Sequence, residues 1–338
     1  KSVKEFGEPG FVWSDSTELL VNPCVEIGMW PVCEKTKESG WQACNLSTIN
    51  CSKIKTEQDF FDTCRAAAII GTLQAGFTEF EYLGSASERI IAREALLGVS
   101  MTGVMEQHDI CLDPTLQKRG ASIVKKTNKK IAEMIGINQA ARTTCIKPEG
   151  TSSCILGTSS GIHPHHAKRY IRRVQANKME PIYNYYREQN PRACEESVWS
   201  NNESDDVVAF CVEVKDGSKT KNKVDAIQLL EYVKSTQKSW VLNGSNPELC
   251  TQPWLNHNVS NTINVKPDEW QEVEKYIYKN RRYFCGISLL PISGDKDYPQ
   301  APFTTVYLPS EQVAHYGDAS LFVSGLIEVA LTLWEDNL

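Results

Sequence analysis

An α/β fold is predicted for this 338-residue chain on three observations. Short β-branched runs alternate with longer segments of helical periodicity, the pattern of parallel strands joined by crossover helices. Hydrophobic residues make up 41% of the chain, enough for a substantial core at this length. Neither an internal repeat nor a flexible linker interrupts the alternation, so residues 1–338 are treated as one unit.

The elements follow in order. Residues 1–55 carry many Gly, Pro and Cys and little helical periodicity, and read as a long ordered loop with a function of its own. Thr56-Glu57-Gln58-Asp59 resembles a capping box with Asp in place of Glu, and Phe60, Phe61, Cys64, Ala68 and Leu73 follow at helical spacing. A second helix is expected over Ala86–Leu97, then a short strand over Gly98–Val104. Thr115–Ile137 is a long amphipathic helix whose basic face (Lys125, Lys126, Lys129, Lys130) reads as solvated surface. Thr143–Lys147 is a strand, Pro148–Ser153 a loop, and Cys154-Ile155-Leu156 the start of a helix. Strands are expected at Tyr170–Val174, Val207–Val214, Asn258–Val265 and Phe284–Leu290. Helices are expected at Pro181–Glu188, Ala226–Val241, from Pro267 to about Lys279, and from about Ala319 to the end.

Composition excludes several classes of function. Net charge is −6 with both signs interspersed, and no basic block suggests a nucleic-acid surface. The longest apolar run, Ala66–Leu73, is too short to span a bilayer, and Lys1–Glu5 has no signal core. Twelve cysteines occur without a C-x-x-C pair, which fits reduced thiols in a cytoplasmic protein. The triplet Asn45-Leu46-Ser47 carries no glycosylation signal without secretion.

Two stretches carry chemistry. In Asn22-Pro23-Cys24-Val25-Glu26 an amide, a thiol and a carboxylate occupy alternate positions, and an extended backbone would turn all three to one side. A second thiol follows in Cys44-Asn45-Leu46-Ser47. In Pro148-Glu149-Gly150-Thr151-Ser152-Ser153, hydroxyls and a glycine precede a helix, the make-up of an anion site or of an ordinary cap.

Together these motifs resemble ribonucleotide reductase over nearly the whole chain, closest to its adenosylcobalamin-dependent (class II) members. The family folds as a ten-stranded α/β barrel of two five-stranded halves with a cysteine finger loop at its centre. The resemblance implies that residues 1–55 supply the loop region and residues 56–338 the strands and helices of the second half. It makes Cys24 the thiyl radical, Glu26 the general base, Asn22 the amide that orients substrate hydroxyls, and Cys44 one of two electron-donating thiols. Pro148–Ser153 would hold the substrate phosphates. The expected activity is reduction of ribonucleoside di- or triphosphates, with a lean to triphosphates, to 2'-deoxyribonucleotides for DNA synthesis.

The same resemblance orders the cofactor classes. Phe284–Pro291 lacks the Tyr-Tyr pair of iron-tyrosyl enzymes, and Tyr185-Tyr186 lies in a helical context elsewhere. Glycyl-radical members lack the loop glutamate, present here as Glu26. Adenosylcobalamin remains, and without an Asp-x-His-x-x-Gly motif it would bind base-on, with no protein histidine and no other metal site. An external dithiol or thioredoxin would regenerate the thiols. The family's other redox cysteine and its allosteric site lie upstream of the region matched by Lys1, and its relay cysteines downstream of that matched by Leu338. A separate N-terminal chain, or a missing N-terminal half, is therefore expected as partner. Two other readings stand beside this one: a serine hydrolase using the G-x-S-x-G match Gly157–Gly161 around Ser159, and a non-catalytic nucleotide-binding fragment. His163, His165 and His166 lack the carboxylate or thiol partners that a metal site would need.

Overall fold

The computed structural model describes residues 2–292 and 298–307. The expected closing helix from Ala319 lies outside them. The chain divides into two compact units, 1–164 with 224–292, and 165–223 with 293–338.

The first unit opens with a short helix, α1 (Ser2–Phe6), and a two-residue strand, β1 (Phe11–Val12). A hairpin follows, its stem formed by β2 (Leu20–Val21) antiparallel to β3 (Gly28–Met29). The long-loop reading of residues 1–55 needs correction at its end, because β4 (Asn45–Asn50) is a full strand. Its apolar positions are short and interspersed with Asn, Ser and Thr, which hides it from hydrophobic alternation.

Helix α2 (Glu57–Ala75) starts as its sequence demands. The Asp59 amide donates to Thr56 Oγ1 at 3.1 Å and the Thr56 amide donates to Asp59 Oδ2 at 2.9 Å. Phe60, Phe61, Cys64 and Ala68 are buried, but Leu73, expected on that stripe, is 55% exposed. Helix α3 (Ser85–Glu94) stops three residues short of the expected Leu97, with Ala95 at φ 42°. Leu97 is recruited to β5 (Leu97–Thr102), where its amide donates to the Arg142 carbonyl at 3.0 Å.

After the single turn α4 (His108–Cys111), α5 (Pro114–Ile135) begins with Pro114 in its first turn. Asp113 accepts there from the amides of Thr115 and Leu116 at 2.7 and 2.9 Å. Lys126, Lys129 and Lys130 are exposed, but Lys125 is half-buried and its Nζ donates to the Ser245 carbonyl at 3.1 Å.

The expected strand 143–147 is an extended segment wedged between neighbours. Thr144 bridges Val99 and Ile146 bridges Val259, both in parallel sense. The five-residue helix α6 (Ser152–Leu156) follows.

The chain then enters the second unit. Here β6 (Arg169–Asn177), α7 (Pro181–Gln189), β7 (Cys194–Glu196) and β8 (Asp205–Glu213) occur in succession. Parallel pairing, expected from the alternation, does not hold in this unit: β6 and β8 run antiparallel over nine residue pairs. The reason is visible in β6, whose Arg169, Arg172, Arg173 and Gln175 suit a half-solvated antiparallel sheet and not a strand covered on both faces. Asp206, buried in β8, is held by Lys178 at 3.3 Å, Arg187 at 3.0 Å and the Tyr183 hydroxyl.

Back in the first unit, α8 (Ala226–Thr236) ends in a π-helical turn, Gln237–Val241, where one helix was expected throughout. Trp240 in that turn is fully buried, and its Nε1 donates to the carbonyls of Val99 and Cys145 at 3.2 and 3.1 Å. Strand β9 (Thr262–Val265) and helix α9 (Trp270–Asn280) follow, the helix starting three residues after Pro267. Strand β10 (Gly286–Pro291) pairs parallel with β9 and antiparallel with β1. The last described strand, β11 (Phe303–Thr305), joins the second unit antiparallel to β6.

In the first unit the parallel neighbours therefore run β4, β5, 142–147, 258–265 and β10. Helices α2, α5 and α8 cover this layer, and Phe60, Met101, Val124, Ile146, Leu230 and Trp240 belong to one continuous core.

Candidate active site

The Cys24 segment is the tip of the β2–β3 hairpin, and it is not extended. The Val25 amide donates to the Asn22 carbonyl at 2.8 Å, closing a turn, and Val25 sits at φ 61°. A β-branched residue there is strained and needs surrounding contacts to hold it. The even spacing consequently does not put the three side chains on one face. Cys24 is exposed, while Glu26 is fully buried. Asn22 is half-buried and its Oδ1 accepts from the Ile27 amide at 3.0 Å, bracing the turn from inside.

Among the described residues neither carboxyl oxygen of Glu26 has a hydrogen-bond partner. A buried carboxylate left unpaired is costly and demands an explanation. Its neighbours are thiols. Burial pushes the Cys44 thiol far above its ordinary value, the Glu26 charge adds to the rise, and Arg142 opposes it. Cys145, fully buried, is raised by burial first and then by Cys44 and Glu26. Both sulfurs are therefore protonated at neutral pH. Cys145 was missed from sequence, where it reads as one more strand residue. Gly98 makes room for it: a Cβ at Gly98 would lie 3.1 Å from Cys145 Sγ and 2.5 Å from a Leu46 methyl.

The hairpin stem is held by a buried ion pair. Arg142 Nη2 donates to Glu94 Oε2 at 2.8 Å, with both side chains at 0% exposure. Arg142 also donates to the carbonyls of Gly28 at 3.3 Å and Leu255 at 3.4 Å. Burial alone would raise the Glu94 carboxyl. Arg142, the Thr251 amide and the Gln42 side chain together outweigh it and hold Glu94 below the usual carboxylate range. His257 bridges the stem to β5: its Nε2 donates to the Leu97 carbonyl at 2.9 Å and its Nδ1 accepts from the Gly28 amide at 3.3 Å. Burial, with Arg142 nearby, lowers its pKa to about 3 and keeps it neutral. Gly28 allows this approach, since a Cβ there would lie 2.4 Å from the Asn256 carbonyl oxygen.

The loop Pro148–Ser153 lies where segment 142–147 ends. Glu149, at φ 56°, is buried, and its carboxylate accepts from Thr48 Oγ1 at 2.6 Å and from the Ser152 hydroxyl. That side chain anchors the loop to β4. Gly150 and Thr151 are exposed, and no hydrogen bond from the amides of Thr151 or Ser152 occurs among the described residues. The backbone, rather than Glu149, is thus the part of the loop able to meet an anion.

The hydrolase reading finds no support. Ser159 is buried, follows α6 instead of a strand, and gives its hydroxyl proton to Glu106 Oε2 at 2.7 Å. His163 is equally committed, through Nδ1 to the Ser160 carbonyl and Nε2 from the Thr262 amide, each at 2.9 Å. Among the described residues no group of three or more His, Cys, Asp or Glu is placed to hold a metal.

No family model matches the chain. Among curated proteins it is 23% identical over 332 residues to a probable adenosylcobalamin-dependent ribonucleoside-triphosphate reductase of Dictyostelium discoideum, covering 90% of this chain and 40% of that protein. It is 22% identical to the adenosylcobalamin-dependent ribonucleoside-triphosphate reductase of Levilactobacillus brevis, covering 83% and 38%. The chain thus spans about 40% of the length of these relatives. Among solved structures, a B12-dependent (class II) ribonucleotide reductase superposes with a TM-score of 0.69 at 18% identity, over 99% of this chain and 49% of that one. The α subunit of the Actinobacillus ureae class Id enzyme superposes with a TM-score of 0.53 at 14% identity, over 86% and 59%. The chain therefore shares the α/β fold of the matched half of the class II reductase.

Proposed function

We propose that this chain carries the radical loop and one half of the ten-stranded barrel of an adenosylcobalamin-dependent reductase of ribonucleoside triphosphates. The observation that carries the reading is Glu26: a buried carboxylate with no partner, beside Cys44, on the turn that presents Cys24. Glu26 lies inward of the exposed Cys24, so a ribose over the turn would have to reach below the tip for its hydroxyls to supply the hydrogen bonds Glu26 lacks.

Adenosylcobalamin, when bound, would supply the one-electron chemistry, and Cys24 would be the thiol that gives up a hydrogen atom. The exposed thiol fits that requirement. The Cys24 thiyl lifts the 3'-hydrogen of the ribose, since S–H and sugar C–H bonds are of similar strength. Glu26 takes the 3'-hydroxyl proton, Asn22 orients the hydroxyls, and the 2'-hydroxyl leaves as water. The sugar gains two electrons as two thiols become a disulfide, one thiol hydrogen leaving in the water and the other going to C2'. Cys24 returns a hydrogen atom to C3' and Glu26 returns the proton to the 3'-oxygen, which restores the thiyl and the carboxylate. Cys44, kept protonated by burial and by Glu26, is one of the two. The second comes from the part of the enzyme matching the remaining length of the relatives, on this or a separate polypeptide. An external dithiol or thioredoxin reduces the disulfide. In the loop Pro148–Ser153, the backbone amides of Thr151 and Ser152 would meet the substrate phosphates, since the Ser153 amide already donates to the Glu149 carbonyl at 3.1 Å.

The outer edge of β4 favours such a partner, because β4 pairs only with β5 among the described residues and an open edge invites pairing. A cytoplasmic location is proposed from the twelve free cysteines. No helix among the described residues is long and apolar enough to cross a membrane.

The test is reconstitution. The chain is incubated with adenosylcobalamin, a ribonucleoside triphosphate and dithiol, with and without a polypeptide corresponding to the N-terminal part of a relative. Deoxyribonucleotide is expected only with the second polypeptide. Multiple turnovers by the chain alone would refute the shared site, and no product in either mixture would refute the reductase reading.

A further inference from the structure

The strand segment facing the hairpin grips its tip residue by residue. Ser260 Oγ donates to the Cys24 carbonyl at 2.6 Å, and Asn258 Nδ2 donates to the Val25 carbonyl at 3.1 Å. The Asn258 amide donates to the Glu26 carbonyl at 2.9 Å. Three successive carbonyls of the turn are thus taken by two residues, both under 10% exposed.

The grip is itself rigid. Asn258 and Ser260 also bond the backbone of Ile146, at 3.1 and 2.9 Å, which locks their segment beside 142–147. Gln237, in the π-helical turn, fills the remaining backbone valences: its Oε1 accepts from the Val259 amide at 3.0 Å and its Nε2 donates to the His257 carbonyl at 2.8 Å. A π turn adds one residue to a helix and redirects a side chain, and here that side chain is Gln237.

Two features of the turn need such a grip. Val25 is held at φ 61°, a conformation it leaves unless constrained. Glu26 is held buried without a hydrogen bond, while Cys24, two residues away, stays exposed. A relaxed turn would let Glu26 swing to solvent. We propose that Asn258 and Ser260 are positioning residues that keep Cys24 outward and Glu26 inward. The inference rests on the reading above for its catalytic meaning, but the grip itself is testable without it.

Ser260→Ala removes one bond, Ser260→Thr restores it, and Asn258→Asp turns the donor to Val25 into an acceptor at unchanged volume. Hydrogen exchange of the amides in 25–28 and the alkylation rate of Cys24 by iodoacetamide are measured on the full chain, with the exchange of β9 and β10 as internal control. Each lost bond is expected to speed loop exchange roughly 2- to 12-fold. The Cys24 alkylation rate should change with it, β9 and β10 should hold, and Ser260→Thr should return both to wild type. In the reconstituted reductase the same variants should lower kcat with KM unchanged. Should Ser260→Ala not fold, Asn258→Asp carries the test. Unchanged loop exchange in the folded variants, or acceleration spread evenly over β9 and β10, overturns the proposal. Loosened loops in a chain that never makes deoxyribonucleotide would refute the reductase reading and leave the grip standing.

Discussion

Replacing Arg142 by Met tests how the hairpin is fixed to the barrel layer. The change removes one half of a fully buried ion pair while keeping volume and hydrophobic contact. Deleting one member of such a pair costs about 3–5 kcal/mol, because the other charge stays buried. Glu94 would keep the Thr251 amide, the Gln42 side chain and the more distant Arg93, 4.0 Å away, so the loss belongs at the lower end, about 3 kcal/mol. The bonds from Arg142 to Gly28 and Leu255 vanish too, so the hairpin stem should loosen first. The pH dependence has a definite sign. In the wild type the Glu94 carboxyl is held below its ordinary value, which adds stability above that value and loses it as pH falls. In the variant burial prevails, the carboxyl rises, and protonation relieves the unpaired charge. Urea unfolding at pH 7 and pH 5, followed by circular dichroism and by exchange of the Gly28 amide, should show a deficit that shrinks at the lower pH. Glu94→Gln added to Arg142→Met should recover part of it. A loss under about 1 kcal/mol, as for an exposed pair, or one that does not vary with pH, would refute the reasoning.

His257 has its pKa lowered from 6.5 to about 3 in the folded chain, so the unfolded chain binds the extra proton between those values. Stability should fall by about 2 kcal/mol from pH 7 to pH 5 through this group alone, and His257→Gln should flatten that slope in urea titrations. Gly28→Ala should displace the stem, since the added Cβ would meet the Asn256 carbonyl at 2.4 Å. Its thermal midpoint should drop by several degrees and the Cys24 alkylation rate should rise, whereas Gly150→Ala, with open space around its Cβ, should leave the midpoint unchanged.

Much of the fold was legible because local chemistry acts alone at helix starts. The Thr56–Asp59 box is read from four residues, and it forms, whereas the Asp113 cap and Pro114 start of α5 lie just ahead of the helix expected from Thr115. The parallel run was legible from β-branched segments separated by helices. The second unit was not, because its strand signal is shared by both pairing senses, and only the arginines of β6 mark it as half-solvated. At the site, residue types were legible and geometry was not. Alternate spacing implied an extended segment, but Pro23 and the contacts from 258–260 impose a turn, and Val25 pays for it with a positive φ. Cys145 and Asn258 meet the site only through tertiary neighbours far along the chain, so no local pattern announces them. Glu149 was grouped with the anion loop by motif, and only its bonds to Thr48 and Ser152 reveal an anchoring side chain.

In the proposed reaction Cys24 abstracts hydrogen and Cys44 donates electrons. The measurement that tests it most directly follows tritium loss from the 3'-position of a ribonucleoside triphosphate in the reconstituted enzyme, comparing Cys24→Ser with Cys44→Ser. An alcohol is a poor radical carrier, so Cys24→Ser should abolish both tritium loss and product while nucleotide binding persists. Cys44→Ser should retain tritium loss and lose steady-state turnover. Tritium loss that survives in Cys24→Ser, or vanishes equally in Cys44→Ser, would contradict the account.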